Sequence, residues 1–207
     1  MKCLKTSITA AAFFLTLASI AQASTIQNSS AGLSSTFTTE NFSGDLPDGT
    51  AAGSNYSGVT FGAGNYITSG YDGRFPNMVG KLISNFSPCC TTPTSLSFAT
   101  PISGAAFNFV SNPGVSTFTA FLNGAQVETF TETTDYSGNF YGFENINFDS
   151  IRIDSGGGNN AYILDNLQVT SALDNRQAAA VPEPETYAMV LTALSVMGFI
   201  ARRRKSL

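Results

Sequence analysis

Four features of this 207-residue chain have the residue types and spacing to carry chemistry. They are the adjacent thiols Cys89 and Cys90, the carboxylate of Asp165 inside an apolar run, a set of tyrosines in glycine- and serine-rich turns, and a Pro-Glu-Pro sequence ahead of a basic terminus. Histidine is absent, which removes the Ser-His-Asp and Cys-His nucleophile arrangements, and no glycine-rich phosphate loop follows a strand and opens a helix. A carboxylate pair suffices for glycoside hydrolysis, yet among the twelve acids between Ser24 and Val181 no spacing selects a pair. In an oxidising compartment two thiols are expected to pair, but neighbours do so only through a strained ring. A vicinal disulfide, an intermolecular bridge and two free thiols in a turn are the three readings for Cys89 and Cys90. Two cysteines without histidine do not make a four-ligand zinc set.

The charges are unevenly placed. Between Ser24 and Val181 four basic residues (Arg74, Lys81, Arg152, Arg176) stand against twelve acids, a net charge of −8. Four dispersed cations cannot build a phosphate-neutralising patch, which excludes nucleic-acid binding. The other six basic residues sit at the two ends, beside apolar runs.

At the N-terminus, Lys2 and Lys5 precede an apolar stretch from Ile8 to Ile20 that closes on Ala21-Gln22-Ala23. A basic start, an apolar middle and a small-x-small end make a signal peptide over residues 1–23, cut by signal peptidase between Ala23 and Ser24. At the other end, residues 172–180 read as a small, polar linker. Pro182 and Pro184 then forbid a helix, which starts near Thr186 and runs over 186–201. Fifteen apolar residues rising about 1.5 Å each span roughly 22 Å, short of the roughly 30 Å hydrocarbon layer. Tyr187 and the terminal Arg and Lys residues extend that reach by interfacial anchoring. Their positive charge orients the tail inward and the acidic domain outward.

Val181-Pro182-Glu183-Pro184, then Thr186-Tyr187, an apolar helix and Arg202-Arg203-Arg204-Lys205 resemble, in order and spacing, the PEP-CTERM sorting signal of bacteria over residues 181–207. The resemblance implies recognition by the membrane protease-transpeptidase exosortase, anchoring in the inner membrane during sorting, release to the cell surface or medium, and association with extracellular polysaccharide and biofilm.

Residues 24–171 carry no sustained 3.6-residue period. Short alternating runs broken by Gly, Pro and Asn predict an all-β fold, a single jelly-roll-like β-sandwich. Strands are expected over 33–38, 58–61, 65–68, 95–99, 105–110, 140–143, 146–153 and 162–170, with Gly156-Gly157-Gly158 as a mobile turn. Asn123-Gly124 predicts a type I′ hairpin within 117–131, in a register that sets Leu122 opposite Ala125, Ala120 opposite Val127 and Phe118 opposite Thr129. A change of parity between Ile146-Phe148 and Ile151-Ile153 predicts a bulge near Asp149-Ser150.

Strand alternation puts Asp165 on one face with Ile163, Leu167 and Val169, and a buried carboxylate needs a partner: backbone donors, Arg152 or a cation. The stretch Tyr162–Leu167 resembles the final strand of jelly-roll sugar-binding modules. That resemblance implies a structural calcium on Asp165, with Glu40 as the second acid; beyond it the sequence implies no cofactor. The functional expectation is an exported, non-catalytic surface or matrix protein that meets polysaccharide through Tyr56, Tyr66, Tyr71 or Tyr136. A carboxylate-dependent glycan-active enzyme and a purely structural or adhesive protein are the alternatives.

Overall fold

The computed structural model describes residues 23–56, 58–86, 90 and 93–170. The signal peptide, Cys89, the linker, the Pro-Glu-Pro segment and the helix expected over 186–201 lie outside the described residues. Among those described, no helix is long and apolar enough to cross a membrane.

Ten antiparallel strands make up the described chain: β1 (Ser24–Ser29), β2 (Thr38–Glu40), β3 (Val59–Phe61), β4 (Tyr66–Thr68), β5 (Leu82–Ser84), β6 (Thr94–Ser111), β7 (Gly114–Leu122), β8 (Ala125–Thr134), β9 (Phe140–Asp154) and β10 (Tyr162–Val169), with one 3-10 turn at Gly158–Asn160. All ten belong to one hydrogen-bonded sheet. The all-β expectation holds.

The sheet folds on itself because β6 and β9 pair along most of their length and bend together. Between the pairs Gly104↔Glu144 and Ile102↔Phe148, β9 uses three residues where β6 uses one. Between Ile102↔Phe148 and Ser97↔Ser150, β6 uses four, including Pro101, where β9 uses one. Proline has no N–H to donate, so the ladder is free to break there, and such bulges bend the strand that carries them. The change of parity expected near Asp149-Ser150 is present, with Phe148 and Ile151 both buried, but the extra residues lie on β6 opposite Asp149 and on β9 at 145–147. The two strands expected over 95–99 and 105–110 are the halves of β6.

On one side of the bend, the start of β6 and the end of β9 join β3, β7 and β8. On the other, the end of β6 and the start of β9 join β1 and β10, and β10 pairs in turn with β2 and β5. Aromatic rings lock the two layers face to face, as in a β-sandwich. Phe118 of β7 lies 5.4 Å from Phe109 of β6 and 5.2 Å from Tyr141 of β9, and Phe130 of β8 lies 5.2 Å from Phe143 of β9. Such pairs contribute about 0.5–1.5 kcal/mol each beyond the apolar area they bury.

The hairpin register differs from expectation in one instructive respect. Asn123 (φ 51°) and Gly124 (φ 80°) form the turn, and Leu122 faces Ala125 as expected, but a bulge shifts the rest so that Ala120 faces Glu128 and Phe118 faces Phe130. Val127 is left on the outside, 41% exposed, and the shift buys a 4.9 Å stack of Phe118 on Phe130. Core packing outweighs strict alternation here.

Three further expectations are corrected. Leu33 is not in a strand: its N–H donates to Gln168 Oε1 (2.8 Å), its side chain packs against Ala106, and the strand begins at Thr38. Residues 24–29 and 82–84, where no strand was expected, pair as β1 and β5. Gly156 and Gly157, in the turn expected to be mobile, lie against backbone, since a β-carbon on them would lie 1.7 Å from Val115 O and 1.9 Å from Asn112 O respectively.

Phe118 is fully buried among four rings. Phe118→Ala is expected to lower stability by about 3–5 kcal/mol, whereas Val115→Ala, on the exposed face of the same strand, should stay within about 0.5 kcal/mol. Urea denaturation followed by tyrosine fluorescence measures both.

Candidate functional site

Two of the four tyrosines proposed as a sugar platform come together. The segment between β4 and β5 carries Tyr71 and Phe75, the stretch after β5 carries Phe86, and the turn between β8 and β9 carries Tyr136. Their rings form a row, Phe86–Tyr71–Phe75–Tyr136, with centroid separations of 5.3, 6.3 and 5.5 Å and interplanar angles of 33°, 20° and 12°. The row walls a cleft of about 450 Å³ whose floor includes Val110, Tyr162 and Ile163. Arg74 lies across the row, its guanidinium 5.6 Å from the Tyr71 centroid and 5.8 Å from that of Phe75. At the rim, the Tyr136 hydroxyl donates to Asn112 Oδ1 (2.8 Å), and Asn112 Nδ2 donates to Gly158 O.

The other two tyrosines lie elsewhere. Tyr56 is a core residue, 8% exposed and edge-on to Phe42 at 4.9 Å, and burial pushes its phenol up to about 12. Tyr66 is half-buried in β4, opposite Ser84. Sequence reasoning passed over Phe75, Phe86 and Arg74. The available signal was local, two aromatics four residues apart in a Gly- and Pro-containing stretch.

The loop of residues 69–81 has no strand of its own and is held by polar side chains. Asp72 Oδ1 accepts the Gly80 N–H (2.7 Å), and Met78 is buried with Leu82, Val110 and Ile163 beneath the aromatic row. Asp165 Oδ2 accepts the Val79 N–H (3.0 Å), and Asp165 Oδ1 accepts the Asn166 N–H (2.7 Å). Asn166 Nδ2 donates to Asn77 O and to Asn108 Oδ1, both at 2.9 Å, and Asn77 and Asn108 each donate to Gly138 O, at 3.1 and 2.7 Å. Gly138, at φ 65°, has room for no β-carbon, which would lie 1.9 Å from Pro76 O. One network thus ties the loop carrying Phe75 to the turn carrying Tyr136.

Asp165 is 1% exposed, as alternation required, but it shares its surroundings with Ile163 and not with Leu167. A bulge at Asn166, which adopts φ 47°, switches the strand's parity, so Leu167 enters the main core while Asp165 faces the loop. Its partners are amide N–H groups; Arg152 instead pairs with Asp154 at 3.8 Å. Glu40 likewise accepts the Phe42 N–H (2.9 Å). No cluster of three or more His, Cys, Asp or Glu side chains that could hold a metal ion occurs among the described residues. Cys90 is disulfide-bonded. A second cleft, of about 380 Å³, lies where β2, β3 and β10 meet, with Glu40 as its one carboxylate; no carboxylate lines the aromatic cleft.

Burial pushes the Asp165 carboxyl up to about 6, the Val79 and Asn166 amides opposing it. For Glu144, burial alone would also raise the value, but the N–H and hydroxyl groups of Ser35 and Ser34 (2.8–3.0 Å) outweigh it and hold the carboxyl below its ordinary range.

Two predictions follow from these contacts. Between about pH 6 and pH 4 the folded chain holds a proton on Asp165 that the unfolded chain has lost, so stability rises as pH falls through that window, by up to about 3 kcal/mol. Glu144 has the opposite sign: its contribution is present above the ordinary glutamate value and is lost as pH falls through its lower folded value. Melting temperature should therefore peak near pH 4–5, and Asp165→Asn should flatten the limb between pH 4 and 6 while keeping the acid loss. Gly138→Ala should displace Pro76 and part Phe75 from Tyr136, costing about 1–3 kcal/mol in thermal unfolding and altering the near-ultraviolet tyrosine dichroism.

Residues 180–205 match the family model of the PEP-CTERM protein-sorting motif. No curated protein matches the chain. Among solved structures the chain is similar to one described as the crystal structure of the Agl-KA catalytic domain, at 13% identity and a TM-score of 0.38. That alignment covers 71% of this chain and 30% of the other, and a likeness at this level carries no functional meaning here.

Proposed function

We propose that this PEP-CTERM sorting-signal protein is a non-catalytic component of the cell surface or extracellular matrix, whose β domain associates with extracellular polysaccharide. The motif itself marks an exported protein handled by exosortase and routed through a membrane-anchored sorting step to the cell surface. The observation that carries the finer reading is the aromatic row at one end of an acidic β domain, beside a cleft lined by no carboxylate. Glycoside hydrolysis needs two carboxyl groups across the scissile bond, about 5–10 Å apart, and neither described cleft that opens on apolar side chains offers that pair.

The N-terminal boundary fits the same reading. β1 begins at Ser24, directly after the expected cleavage point, and pairs with β9 from its first residue, Ser24↔Glu144. Cleavage between Ala23 and Ser24 leaves that strand whole.

Intact-mass measurement on protein recovered separately from membranes and medium tests the assignment. The expected species in the medium begins at Ser24 and ends near Pro182–Pro184. Recovery of the full 207-residue mass in every fraction would overturn the processing, and an unchanged distribution in cells lacking exosortase would overturn the route.

A further inference from the structure

We infer that the aromatic cleft seats pyranose units of a neutral polysaccharide, stacked on Tyr136, which Phe75 backs, and hydrogen-bonded by Arg74 and Asn112. The inference rests on the reading that the domain associates with polysaccharide, and it adds the site and the class of chain.

A pyranose ring presents a flat face of C–H groups edged by hydroxyls. Its receptor needs an apolar plane with hydrogen-bonding groups at the border. Tyr136 supplies the plane: it is 46% exposed, yet its hydroxyl is tied to Asn112 and its ring lies nearly parallel to Phe75, at 12°. An exposed aromatic held at a fixed angle loses little freedom when a ligand arrives, which favours binding. Behind it, Phe75, Tyr71 and Phe86 are each half-buried and extend the apolar wall. A cleft of about 450 Å³ lies within the size range of small-ligand sites, about 300–1,000 Å³.

The border is polar in the required way. Arg74 is exposed, and the ion pair found among the described residues, Arg152–Asp154, does not involve it. Its guanidinium carries five N–H donors. Asn112 uses one N–H on Gly158 O and retains a second, and the Tyr136 oxygen retains its acceptor pairs.

Charge selects the class of chain. Four basic residues against twelve acids between Ser24 and Val181 disfavour the approach of a polyuronate, whereas a neutral glycan meets no such field; Arg74, the one charged side chain lining the cleft, then serves as a donor to hydroxyls. No carboxylate lines the cleft to protonate or attack a glycosidic bond, so the site holds its ligand without cutting it.

Affinity electrophoresis of the exported protein tests this, in native gels cast with dextran, with laminarin, with alginate, or with extracellular polysaccharide from the producing cells. Retardation by at least one neutral glucan is expected, together with a dissociation constant about tenfold weaker for Tyr136→Ala and for Phe75→Ala, and no change for Phe37→Ala, an exposed aromatic outside the cleft. Near-ultraviolet dichroism and melting temperature report whether each variant is folded, and Tyr136→Phe, which keeps the ring, should retain most of the affinity. Retardation by alginate alone would overturn the neutral class. Retardation by the cells' own polysaccharide that Tyr136→Ala and Phe75→Ala leave unaltered would overturn the cleft while the surface association stands. No retardation in any gel would overturn both.

Discussion

The ladder between β6 and β9 is the constraint on which everything else rests. Eighteen residues of one strand and fifteen of the other run together through both layers, so the bend in that pair determines where every other strand can attach. The opposed bulges around Ser103 and Pro101 make the bend by spending extra residues first on one strand and then on the other. Once the ladder is bent, Phe107, Phe109, Tyr141 and Phe143 face Phe118 and Phe130 across the interior, and the aromatic contacts hold the halves closed.

The same ladder explains why the second half of β6 is buried on both faces. Phe107 and Phe109 point into the main core, while Ala106 is covered by Ile26 and Leu33, and Val110 by Met78. A strand buried on both sides loses polar alternation, and the run from Ala105 to Val110 is accordingly almost wholly apolar. Its one interruption, Asn108, is 1% exposed and hydrogen-bonded at both ends of its amide. Buried polar groups satisfied in this way fix the geometry of what they touch, and here they touch the loop and turn that carry the aromatic cleft. The cleft is thus an outgrowth of core packing, placed at the end of the sheet where β6 stops, β8 turns into β9, and β10 begins.

Asp165 shows how one carboxylate can be structural in a domain of marked negative charge. It accepts two amide N–H groups, one of them from the loop above Met78. Glu144 does the corresponding work at the other side of the domain, fastening Ser34 and Ser35 beside β9. In both cases an irregular segment directs backbone N–H groups at an acid, Val79 at Asp165 and Ser34 and Ser35 at Glu144.

Local chemistry was legible in the sequence wherever it was self-contained. The sorting motif at residues 180–205 is read along the chain. The Asn123-Gly124 turn needs only positive φ at two adjacent positions, and the parity break at Asp149-Ser150 is visible as a change of phase. The burial of Asp165 was also legible, because alternation predicts it whichever neighbour provides the cover. What surrounds Asp165, the register that brings Phe118 onto Phe130, and the meeting of Phe75 with Tyr136 across 61 residues of sequence depend on bulges and loop closure. A one-residue bulge reverses the face of every side chain beyond it and leaves almost no trace in composition. The sequence by itself therefore determined the all-β class and the sorting signal, and only the tertiary structure decided which aromatics became core and which became the wall of a cleft, because that choice turns on single-residue shifts between strands far apart in the chain.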